Sequence, residues 1–104
     1  MSDATLEDVL LHEHAEAHRI AVALQEAAAE LRRAMQKFAP IHSGHEGFAV
    51  IREELDELWD DVKRDDLTAA KREAVQVAAM ALRFIVDLPD GDNPVKRAED
   101  APDA

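Results

Sequence analysis

The stretch Ser43–Asp66, SGHEGFAVIREELDELWDDVKRDD, decides the fold. It opens with Ser43-x-x-Glu46, a capping-box pattern: the serine hydroxyl accepts from an early backbone N–H and the glutamate reaches back to the cap. Phe48, Ile51, Leu55, Leu58, Trp59 and Val62 follow at helical spacing, so one stripe of a helix seeks a core. Glu54, Glu57 and Asp61 form a second stripe along one edge of that apolar face. Carboxylates on the solvated side of a helix need no explanation. A row beside the buried seam is a place where a cation can be held.

On the N-terminal side, residues 1–5 read as frayed, with Thr5 as an N-cap and Glu7 and Asp8 suited to a first helical turn. From Leu6 to Phe38 apolar residues recur every three or four positions, with no Gly or Pro among them. The pattern predicts one long helix, or two with a soft joint. Ala21, Ala23, Ala27, Ala28 and Ala29 leave room for a neighbouring helix to approach closely. Pro40 ends the helix, because its ring cannot continue it and restricts Ala39.

On the C-terminal side, the capped helix runs to about Arg64, Asp65 and Asp66 make a tight turn, and Asp66 is placed to cap a third helix from about Leu67 to Leu88. Ala70, Ala74, Val77, Ala81, Phe84, Ile85 and Leu88 form one apolar face of that helix, and Val75, Ala79, Leu82 and Val86 another, nearly opposite. Between them runs a stripe of Glu73, Gln76, Met80, Arg83 and Asp87. A helix apolar on two sides is buried on two sides, which three helices from one chain struggle to achieve. The expected fold class is all-α: an antiparallel helical bundle with three main helices per chain, completed by dimerisation. Residues 1–88 form the one domain. Residues 89–104 hold three of the four prolines and many charges, and read as a disordered tail.

Composition narrows the function. The 104 residues carry 12 Lys and Arg against 23 Asp and Glu, a net charge of −11. That disfavours a nucleic-acid polymer or an anionic membrane as partner, and permits cation binding. The absence of cysteine removes disulfides and thiolate metal sites. No apolar run approaches the roughly 20 residues of a membrane span, and MSDATLED lacks a signal-peptide pattern. The expectation is a soluble cytoplasmic protein.

The short turn at residues 65–66 makes the second and third helices antiparallel neighbours, so residues whose numbers sum to about 130 lie level. Glu57 pairs with Glu73, and Glu54 with Gln76. Both polar stripes are displaced the same way from their apolar seams, so the four side chains are expected to converge on one oxygen-rich cluster. Three carboxylates so close repel one another, and a hard cation such as Mg²⁺ relieves that.

These residues resemble a known signature. Glu53-Glu54-Leu55-Asp56-Glu57 fits EExxE, and Glu73 stands where a downstream ExxD begins. The pair resembles the all-α nucleoside triphosphate pyrophosphohydrolases of the MazG-like superfamily, over about residues 40–88. HEGFAVIREELDELWDDVK is especially similar to small MazG-like proteins of phages and bacteria. The resemblance implies a helical bundle assembled as a homodimer or a dimer of dimers, with Mg²⁺ (or Mn²⁺) held by the motif carboxylates. It implies hydrolysis of a nucleoside triphosphate between the α and β phosphates, giving the monophosphate and pyrophosphate. Glu54, Glu57 and Glu73 would be ligands, and Glu53 a ligand or the residue that positions the catalytic water. The motif's final Asp is Gln76 here, a neutral and weaker donor, with Asp61 one turn beyond Glu57 as a compensating acid. A descendant that binds nucleotide or metal without turnover is the alternative reading.

Other polar residues carry two readings each. Arg83 either pairs with Asp87 one turn on or contacts a phosphate. Lys71 and Arg72 are either solvated or contacts to the triphosphate. His42 and His45 either shape the loop or meet substrate. His14 and His18, four apart, are half a zinc site at most. Trp59 reads as core, with base stacking second.

Overall fold

The computed structural model describes residues 4–91. It is all-helical, with α1 Leu6–Lys37, α2 Gly44–Lys63 and α3 Leu67–Asp87, and contains no strand among the described residues. Most of the tail expected to be disordered, residues 92–104, lies outside the described residues, as do residues 1–3 of the frayed N-terminus. No helix among the described residues is long and apolar enough to cross a membrane.

Each helix starts where a short polar side chain meets orphan N–H groups. Thr5 accepts from the Asp8 N–H, and the Asp8 carboxylate accepts from the Thr5 N–H, a complete capping box. Ser43 accepts from the Glu46 N–H at 3.0 Å, but Glu46 reaches past the cap to the His42 N–H at 3.2 Å. The reciprocal bond read from Ser43-x-x-Glu46 is therefore displaced by one residue. Asp66 accepts from the Ala69 N–H to start α3.

The α2–α3 turn is a Schellman motif. The Asp65 N–H donates to the Val62 carbonyl and the Asp66 N–H to the Asp61 carbonyl. It needs a left-handed residue after the C-cap, and Asp65 fills that place with φ 59°.

α3 packs against both α2 and α1. The interior is thin and built from small side chains: Ala34, Ala79 and Met80 form its centre, with Leu31, Val50 and Ile51 packed around them. Gly47 lets α2 lie on the Phe84 ring. A β-carbon there would collide with Phe84 Cδ2, sit 2.9 Å from Cε2 and lie 3.2 Å from Ile41 Cγ2.

Two faces are turned differently from the sequence reading. On α2 the inward line is Gly47, Ile51, Glu54, Leu58 and Asp61, while Phe48, Leu55, Trp59 and Val62 point outward and are exposed. On α3 the inward line is Glu73, Gln76, Met80, Arg83 and Asp87, while Leu82, Ile85 and Val86 face out. The polar stripe expected between two apolar faces is thus the one that faces the other helices. Small residues permit this rotation, because Ala70 and Ala79 let α3 approach closely enough for its long polar side chains to reach across.

α1 has 32 residues against 20 in α2, so it is about 48 Å long against about 30 Å. Burial begins only at Ala27; every residue from Leu6 to Glu26 is exposed. More than half of α1, including Leu10, Leu11, Ile20 and Leu24, overhangs the body of its own chain.

Candidate functional site

One carboxylate cluster stands out among the described residues. Glu54, Glu57 and Glu73 each offer an oxygen, and the three oxygens lie within 4.8 Å of one another. Glu54 and Glu57 are three apart on α2, and Glu73 comes from the facing turns of α3. Glu57 is exposed, while Glu54 and Glu73 are half-buried.

The electrostatics follow from that placement. Glu54 is pushed up to about 7, first by removal from water, then by its pairing with Glu73, then by the Glu57 charge. Glu73 is also raised, chiefly by burial, with further contributions from Glu57 and Asp61. Glu73 Oε2 is buried and has no hydrogen-bond partner. A buried carboxylate oxygen without a partner is costly. The donor set is all-oxygen and anionic, which suits Mg²⁺ or Mn²⁺ and not a thiolate- or imidazole-seeking ion. These residues therefore fit the group that the EExxE pattern implies.

The remaining candidates are placed as follows. Asp61 is buried on the inward face of α2 and pairs with Arg64. Its charge reaches Glu73, but it does not belong to the cluster of three. Gln76 is turned toward α1, where its amide helps hold the Glu30 carboxyl below its usual range, after the larger effect of Arg33. Glu53 is exposed, and together with Glu54 lines a cavity of about 550 Å³ between α1 and α2. Lys71 and Arg72 are exposed and border a different hollow, between α1 and α3, with Glu26, Glu30 and Arg33. His45 is exposed in the first turn of α2, and His42 lies 3.8 Å from Glu46. His14 and His18 lie on the overhanging part of α1. Trp59 is exposed, with Lys63 Nζ 5.9 Å from its ring centre.

Arg83 is the most fully engaged side chain. It is buried and 2.9 Å from Asp87. It also donates to the Ala34, Phe38 and Ala39 carbonyls. Four of its five N–H donors are thereby used within the fold. Asp87 in turn accepts from the Ile41 N–H at 3.0 Å, and that bond is the first cause of its lowered pKa. The pair caps the C-terminus of α1 and ties down the connection to α2.

Three residues of α1 were missed in the sequence. Glu30, Arg33 and Lys37 line the same cavity as Glu53 and Glu54. Their spacing of three and four puts them on one stripe of α1, the only signal the sequence held. Comparison with protein-family models, with characterised proteins and with solved structures gives no match.

Proposed function

We propose that the chain is a Mg²⁺-dependent nucleoside triphosphate pyrophosphohydrolase of MazG-like type, converting a nucleoside triphosphate and water to the monophosphate and pyrophosphate. The observation that carries this reading is the meeting of Glu54, Glu57 and Glu73 around a buried, unpartnered Glu73 oxygen. Glu54, Glu57 and Glu73 would hold the ion, with Mn²⁺ as a substitute. The ion would supply charge neutralisation on the phosphates and a more acidic bound water. Glu53, on the wall of the adjoining cavity, would orient the attacking water. This assignment belongs to nucleotide-pool housekeeping in the cytoplasm.

The helices are proposed to form an antiparallel bundle. Three level contacts between the start of α2 and the end of α3, or between their facing turns, support it: Ile41 with Asp87, Gly47 with Phe84, and Glu54 with Glu73. The bundle is proposed to be completed by a second copy. Phe48, Leu55, Trp59 and Val62 on α2, and Leu82, Ile85 and Val86 on α3, support this as exposed apolar stripes.

The test is pyrophosphate release from a panel of canonical and modified nucleoside triphosphates with Mg²⁺ or Mn²⁺. Release that Glu57→Gln and Glu73→Gln reduce at least a hundredfold is expected. Silence across the panel at high enzyme concentration removes the enzymatic reading.

Gln76 favours a second reading, a catalytically impaired nucleotide- or metal-binding bundle. An amide stands where the motif has an acid, and it faces Glu30. Under this reading Mg²⁺ and nucleotide raise the melting temperature without turnover, and Gln76→Asp restores some.

A further inference from the structure

The cavity beside the acids has a second wall. Its α2 side carries Glu53 and Glu54, and its α1 side carries Arg33 and Lys37. At about 550 Å³ it is within the range that holds a small organic ligand. Such a wall would ordinarily repel anions, since a helix C-terminus presents bare carbonyls and the negative end of the dipole. Here Arg83 donates to the Ala34, Phe38 and Ala39 carbonyls and covers that end. Lys37 sits in the last turn of α1, and Arg33 one turn before it has a side chain 69% exposed although paired with Glu30. Both cations keep donors free to meet a ligand.

We infer that Arg33 and Lys37 bind the phosphates of the nucleotide, beside an end of α1 whose carbonyls Arg83 already covers. The inference rests on the pyrophosphohydrolase reading of the acids and assigns the other half of the same site. It replaces Lys71, Arg72 and Arg83 as the phosphate contacts read from the sequence. The lining has three cations (Arg33, Lys37 and Arg83) and four acids (Glu30, Glu46, Glu53 and Glu54), a formal sum of 3 − 4 = −1. The other two acids of the cluster, Glu57 and Glu73, lie outside that lining; with them the sum is 3 − 6 = −3, and a divalent ion brings it to −1, so a polyphosphate is repelled less as its metal complex than alone.

The experiment is isothermal titration calorimetry of the full chain with an α,β-methylene nucleoside triphosphate and with inorganic triphosphate, in saturating Mg²⁺ and again in chelator. Melting curves with Mg²⁺ alone are recorded in parallel. Lys37→Ala and Arg33→Gln are each expected to weaken both probes on the order of tenfold, to leave the Mg²⁺-induced melting shift unchanged, and to fold normally because both side chains are exposed. Binding is expected to weaken in chelator. Unchanged affinity in both variants, with the Mg²⁺ shift intact, overturns this inference and leaves the role of the acids standing. Equal binding in chelator overturns the charge argument. Absence of both the Mg²⁺ shift and probe binding in the unaltered chain overturns the inference together with the reading of the acids.

Discussion

At Gly47 a single hydrogen in place of a methyl group sets the distance between α2 and α3. Gly47→Ala drives a β-carbon into the Phe84 ring. Overpacking of this kind costs about 1–3 kcal/mol, so the denaturation midpoint is expected to fall, and Phe84→Leu in the same chain should recover part of the loss. Asp65 offers the opposite case. It holds φ 59° at the position where a Schellman turn favours glycine. Asp65→Gly is expected to raise stability by up to about 1 kcal/mol, read from urea unfolding at constant m-value. Neither residue's conformation is written in its type. The sequence reading placed a tight turn at residues 65–66, but which of the two would be left-handed depended on where α2 stopped.

The acids make a residue-scale prediction in pH. The folded-state pKa of Glu54 lies at about 7, above its ordinary 4.5. A raised carboxylate favours the fold while protonated, so its contribution is fully present below about 4.5 and is lost as pH rises through 7. Asp87 acts in the other direction: its lowered pKa gives stability present above its ordinary 3.8 and lost in stronger acid. In chelator, the melting temperature is therefore expected to peak near pH 5 and fall toward pH 8. Glu54→Gln should flatten that fall, and millimolar Mg²⁺ should reverse it. A melting temperature that rises steadily from pH 5 to 8 in chelator contradicts this account of the cluster.

Among the elements, α3 does most to unite the fold, and it does so through polar side chains. Arg83 is buried and the Asp87 side chain is largely covered, and between them they bond three carbonyls at the end of α1 and the Ile41 N–H. Arg83→Ala leaves Asp87 with a buried charge lacking its cation and frees the end of α1. Breaking a buried pair in this way costs about 3–5 kcal/mol, and Arg83→Lys should not restore it, because an ammonium lacks the planar fork that reaches several acceptors. Loss of the cooperative thermal transition, or its shift by many degrees, is the expected reading. The i, i+4 spacing announced the Arg83–Asp87 pair. The carbonyls that Arg83 caps lie more than forty residues away along the chain, beyond any periodicity argument.

At the scale of the molecule, the outstanding fact is how little of the large apolar surface one chain covers. Among the described residues no large side chain is fully buried, while Phe48, Leu55, Trp59, Val62 and Ile85 are exposed along α2 and α3. The α1 segment from Leu6 to Glu26 touches nothing that buries it. Most helical stability in proteins comes from packing an apolar face, and Leu10, Leu11, Ile20 and Leu24 have no such cover within one chain. A second copy is therefore expected in solution. Light scattering should give at least twice 11.5 kDa, and Ile85→Asp with Trp59→Glu should drive the chain toward monomer and lower its melting temperature. A monodisperse monomer with a helical α1 at micromolar concentration argues against it.

The sequence alone determined the three helices, their caps and the joining of two acids on α2 with one on α3. Those features are local or nearly so: 3.6-residue periodicity, polar caps and a turn too short to permit any other neighbour. Only the tertiary structure decided which stripe of each helix faces inward. Periodicity finds an apolar face but not what covers it, and in this chain alanines at the contact allow the polar stripes to meet while the bulky residues point away. It also decided that Gln76 and Arg83 answer to α1, and that Arg33 and Lys37 line the same cavity as Glu53 and Glu54. Contacts between α1 and the rest of the chain depend on how a long helix leans across its neighbours, and no spacing within the sequence encodes that lean.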